Sequence, residues 1–82
     1  MMATYYVVQA FQTGKRGVLI ADQPREAKGV DHALALAERL AESRAGVIAF
    51  SRAGDPDTGD YDDAEILARH GVVPEALLEA VA

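Results

Sequence analysis

Residues 30 to 51 read VDHALALAERLAESRAGVIAFS, and how this stretch divides decides the fold. At 100° per residue, Val30, Ala33, Leu34, Ala37, Leu40 and Ala41 fall within about 120° of arc, while His32, Ala35, Glu38, Arg39, Glu42 and Ser43 lie mostly round the other side. That spacing predicts one amphipathic helix. Its apolar stripe is mostly alanine, which lets it approach a sheet closely, and Leu36 sits on the flank. Asp31 near the start and Arg39 and Arg44 towards the end complement the helix dipole, each worth a few tenths of a kcal/mol at an exposed site. Gly46 is expected to stop the helix in a left-handed conformation, and Gly29 to serve as a second-choice N-cap. Val47 to Phe50 is then rich in β-formers and too apolar for a surface loop, so it reads as a strand buried on at least one face.

Upstream, residues 4 to 11 (TYYVVQAF) carry β-branched or aromatic residues at nearly every position. Tyr5, Val7 and Phe11 on one face and Tyr6, Val8 and Ala10 on the other suit a central strand. Thr13 to Gly17 supplies turn chemistry and Val18 to Ala21 returns, so residues 4 to 21 read as an antiparallel hairpin ended by Pro24.

Downstream, residues 51 to 60 follow loop rules throughout. Asp62 to His70 then resembles a short helix: Asp62 can cap, Glu65 stands three residues on, Ile66 and Leu67 give an apolar face and Gly71 terminates. A fourth strand paired across the Asp55 to Asp60 turn stays open, because Asp-Pro-x-Thr-Gly also suits a hairpin. Pro74 opens a final segment in which Leu77, Leu78 and Val81 recur at helical spacing. The expected fold is a single α+β domain over residues 1–82: ββαβ with a small antiparallel sheet of order 2-1-3, the main helix on one face, and one or two short C-terminal helices.

Composition narrows the function classes. Eighty-two residues leave little room for a deep active site, and the absence of cysteine removes disulfides and thiolate metal sites. With no basic leader and no run of about 18 apolar residues, a soluble cytoplasmic protein without membrane contact is expected. The net charge of -5 is unevenly spread. Residues 1 to 49 hold six of the eight Lys and Arg against five acids; residues 50 to 82 hold two against eight. Such a chain is repelled by phosphate backbones over most of its surface, which argues against general nucleic-acid binding.

No constellation points to chemistry. Asp55, Asp57, Asp60, Asp62 and Asp63 offer hard oxygens, but counted from Asp55 as a calcium loop, Asp60 stands where glycine is wanted and Ile66 where a bidentate glutamate is wanted. A solvated turn explains them as well. His32 and His70 lack marked partners, and Ser43 and Ser51 sit in no triad-like motif. No enzyme activity, metal, cofactor or small-molecule ligand is expected. Gly14-Lys15-Arg16-Gly17 is a basic hairpin tip that, with Arg25, Lys28 and Arg52, would begin any nucleic-acid contact, although it lacks the spacing of a phosphate cradle.

The runs YYVVQ, GKRG, AERLA, AFSR, GDPDTGDY and LARHGVVP together resemble a group of short bacterial proteins of unassigned function, over nearly the whole chain. The resemblance implies no activity and no site residues. The expected function is a small protein-interaction module, a homodimer or the partner of another protein, with Tyr5, Tyr6, Phe11 and Leu36 at the contact. The alternative is a nucleic-acid accessory protein using Lys15, Arg16, Arg25 and Arg52.

Overall fold

The structure is a computed structural model and describes residues 1–75; Leu77, Leu78 and Val81 of the expected final helix lie outside the described residues. The β-rich opening forms β1 (Ala3–Thr13). It turns through a 3₁₀ turn at Lys15–Gly17, where Arg16 (φ 60°) and Gly17 (φ 74°) are left-handed and the Gly14 N–H donates to the Val18 carbonyl at 2.6 Å. β2 (Leu19–Ala21) returns antiparallel, with Thr13 opposite Leu19 and Phe11 opposite Ala21.

Beyond Pro24 the chain rejoins the same edge as β3 (Arg25–Ala27), with Tyr6 opposite Ala27. The Asp22 N–H bridges the gap to the Ala10 carbonyl at 2.9 Å. Nothing in Arg-Glu-Ala signals a strand. The free donors and acceptors of β1 extend it, an effect of pairing and not of propensity.

The helix α1 occupies Val30–Ala41 after the N-cap Gly29. His32 closes its start, its Nδ1 accepting the Lys28 N–H at 3.0 Å. The buried residues are Ala33, Ala37 and Leu40, with Leu36 packed against their cluster. That face is rotated by about 50° towards Leu36 from the expected stripe. Val30 and Leu34 are accordingly left 42% and 37% exposed. Gly46 does not stop the helix, which ends at Ala41; it opens the next strand, buried.

That strand, β4 (Gly46–Asp55), runs antiparallel to β1 from Phe11 opposite Gly46 to Ala3 opposite Gly54. It is longer than the expected Val47 to Phe50, because the first residues of β1 and the ring of Tyr61 hold Ser51 to Asp55 in the ladder. After a tight turn, β5 (Asp60–Tyr61) and β6 (Glu65–Gly71) return along its other side. Residues 65 to 71 are therefore a strand, not the expected helix. The cap and glycine signals are local, whereas β4 offers an entire unpaired edge, and pairing wins. A bulge between Ala49 and Phe50 leaves Leu67 without a partner of its own.

These findings overturn the expected ββαβ fold with its small 2-1-3 sheet and its short helix over 62–70. Among the described residues the sheet has six strands in the order β2-β1-β4-β5, with β3 also on β1 and β6 also on β4, and it curls into a half-barrel. α1 covers one face. There Val8, Ala10, Ala27, Val47 and Ala49 pack against Ala33, Ala37 and Leu40. A second buried cluster lies on the other side of the sheet, made of Phe11, Ile48, Ala64 and Val73 with Leu19 and Phe50 against it.

Candidate functional site

Residues opposite one another in an antiparallel ladder point to the same face. The register therefore assembles Tyr5 with Arg52, and Val7 with Phe50 and Ile66, on the outer face, the one away from α1. Tyr61 joins them from β5. Its ring lies over Gly54, where a Cβ would overlap it, and stands 6.3 Å from the Tyr5 ring at a 44° tilt. Burial, with Tyr61 beside it, holds the Tyr5 phenol above its usual range. Tyr61 and Ile66 remain 47% and 38% exposed, and Tyr5, Val7 and Phe50 are half-buried. The Arg52 Nε is buried with no hydrogen-bond partner among the described residues. An apolar, aromatic strip with Arg52 set among its members is the outcome.

The four residues expected at a contact do not share one surface. Tyr5 is on the outer face. Phe11 is on that face too but buried under Val73 and Ile48. Tyr6 is opposite Ser51 on the α1 side, and Leu36 packs onto the cluster beneath the helix. Phe50, Tyr61 and Ile66 were missed because only the long-range β1–β4, β4–β5 and β4–β6 registers carry them to Tyr5 and Val7. The hairpin reading of Asp-Pro-x-Thr-Gly is the signal that finds them.

The basic residues of the alternative reading are likewise spread. Lys15 and Arg16 lie beyond Thr13, whereas Arg52 is opposite Tyr5, eight positions back along β1 or about 26 Å. Arg25 is opposite Val8, on the α1 face. No single patch results.

The acidic turn is closed by its own groups. Asp55 Oδ1 accepts the Asp57 N–H at 2.9 Å and the Met1 ammonium at 3.1 Å, and the Gly59 N–H reaches the Asp55 carbonyl at 2.8 Å. The ammonium leads in holding the Asp55 carboxyl below the usual range. Among the described residues no group of three or more His, Cys, Asp or Glu is placed to hold a metal. An open groove of about 530 Å³ separates the start of α1 from the loop before β6, lined by Thr4, Tyr6, Val30, Ser51, Ala53, Asp62, Asp63, Glu65 and Leu67.

One polar cluster ties the β2–β3 edge to the end of α1. Arg44 Nε donates to Asp22 Oδ2 and Gln12 Nε2 to Oδ1, each at 2.6 Å, while Gln9 Nε2 donates to the Asp22 carbonyl. The Arg44 and Gln12 hydrogen bonds hold the Asp22 carboxyl below its usual range. A depressed folded pKa stabilises above the unfolded value of about 3.9 and is lost as pH falls through the folded one. Asp22→Asn is thus expected to melt below wild type at neutral pH, and to lose less between about pH 4 and pH 2. A melting series against pH checks this; equal acid losses in the two proteins would place the titrating group elsewhere.

Among the described residues no helix is long and apolar enough to cross a membrane. Comparison with protein-family models, with curated proteins and with solved structures gave no match.

Proposed function

We propose that this chain is a small, non-catalytic protein-interaction module that works in the cytoplasm and self-associates through the outer face of its sheet. The carrying observation is the strip of Tyr5, Val7, Phe50, Tyr61 and Ile66, which the register gathers and no described residue fully covers. Contiguous apolar surface of this kind is unfavourable in water and marks a contact. Size supports the reading as well. Long and middle dimensions of 43 and 24 Å give an outline on the order of 1,000 Å², room for the roughly 800 Å² each partner contributes to a standard interface. Two-fold pairing is the commonest way to close such a surface. The dispersed basic residues give no matching support to nucleic-acid binding.

Light scattering after size exclusion at about 100 μM is expected to give twice the monomer mass, a concentration well above a micromolar Kd. Ile66→Glu puts a carboxylate on the β6 side of the strip and should raise Kd at least about tenfold with little change in melting temperature. A wild-type monomer at that concentration sinks the proposal.

A further inference from the structure

The side of the sheet that α1 covers does not end where the helix does. Under the helix lie Val8, Ala10, Val47 and Ala49. Past its start at Val30 the same face continues as Tyr6 opposite Ser51 and Thr4 opposite Ala53, and these rows floor the open groove. Its walls differ in kind. Val30, 42% exposed, and Leu67, the surplus residue of the bulge, are apolar, whereas Asp62, Asp63 and Glu65 are exposed carboxylates.

All eight Lys and Arg lie within the described residues, and among those residues none forms a salt bridge with Asp62, Asp63 or Glu65. The start of α1 supplies only about half a positive charge against the three negative ones. Nor do the three converge on a single ion, since no described group of three or more acids or histidines is placed to hold a metal. Spread carboxylates beside apolar walls match a cation carried on a long aliphatic stem, which is what a lysine or arginine side chain is.

We infer that this groove docks an extended, arginine- or lysine-bearing segment of a partner protein, with the aliphatic stems over Tyr6, Val30 and Leu67 and the charged heads at Asp62, Asp63 and Glu65. A guanidinium meets a carboxylate through paired N–H donors and also stacks on a phenol ring, so arginine suits it best. The groove opens on the opposite side of the sheet from the outer strip, so it goes beyond the self-association reading and stands without it. A dimer closed through the strip leaves two grooves free.

The probe is a blocked, fluorescein-labelled peptide of alternating arginine and valine, about eight residues long, whose extended form puts its arginines on one side. Fluorescence anisotropy at about 50 mM NaCl is expected to give a Kd of about 100 μM. Binding should weaken at least about tenfold at about 500 mM NaCl, or with glutamate in place of arginine in the peptide. Asp62→Asn with Asp63→Asn, and separately Val30→Lys, should each weaken it at least about fivefold. Glu38→Gln with Glu42→Gln changes the net charge as much as the aspartate pair but lies towards the other end of α1, and should cost less than about twofold. No binding at about 1 mM peptide overturns the proposal. So does an equal loss from the Glu38 and Glu42 pair, which would mean attraction to net charge alone. Equally tight binding of spermidine makes the occupant a small polyamine and overturns the partner segment. Light scattering on the same samples reads self-association separately, and groove variants that dissociate a wild-type dimer would put a second copy in the groove, overturning this proposal and the outer-face contact together. Should the aspartate pair fail to fold by circular dichroism, Val30→Lys and the amide shifts of the wild-type chain with peptide decide: shifts at Tyr6, Ser51 and Ala53 support the groove, and shifts confined to Tyr5, Tyr61 and Ile66 overturn it.

Discussion

Gly46→Ala is expected to cost at least about 3 kcal/mol, enough to lower the melting temperature of a domain this size by roughly 12 °C or more. Gly46 is opposite both Phe11 and Gly71, and the chain leaving β6 crosses directly over it. A Cβ there would overlap the Val72 carbonyl, and the obstacle is backbone, which no rotamer change can relieve. The Val72 N–H is bonded to the Ala45 carbonyl at 3.0 Å, and the next residue, Val73, is buried against Phe11 and Ile48. Displacing Val72 therefore also loosens the second apolar cluster. Thermal melting by circular dichroism checks this, and a loss below about 1 kcal/mol would mean that the crossing lies elsewhere.

Ile48→Ala is the second large effect, expected at about 3 kcal/mol from lost transfer free energy and the cavity left behind. Ile48 is the largest of the fully buried side chains and sits on β4, between β1 and β6. Its neighbours Phe11, Ala64 and Val73 come from three separate parts of the chain, and none can refill the space without dragging its backbone. A domain of this length is stable by roughly 4 to 12 kcal/mol in total, so one methyl-rich side chain carries a quarter or more of it. Urea unfolding measures the loss. A cost near that of an exposed substitution would show that the outer cluster is not a core.

Elements whose pattern is set within the segment were legible in the sequence. β1 shows β-branched and aromatic residues in a row, and α1 shows a 3.6-residue period with a glycine before it; both are present. The rotation of the buried helix face was not legible, because the sheet below selects Leu36 over Leu34 by shape, which periodicity does not encode. Elements created by pairing were also hidden. β3 and β6 are extended because β1 and β4 have edges to fill, against weak or contrary local preference. The candidate site follows the same division. Tyr5 could be named from its own strand, whereas Phe50, Tyr61 and Ile66 reach it only through long-range registers.

The bulge opposite Ala49 and Phe50 sorts charge across the slab. Had the ladder run straight from Gly46 opposite Gly71, Glu65 would stand across from Arg52 as a counter-ion. One surplus residue instead turns Glu65 towards the groove beside α1, where Asp62 and Asp63 already are, and leaves the guanidinium alone on the other side. The bulge thus parts one anion from one cation across the thickness of the sheet, by a backbone count and by no side chain.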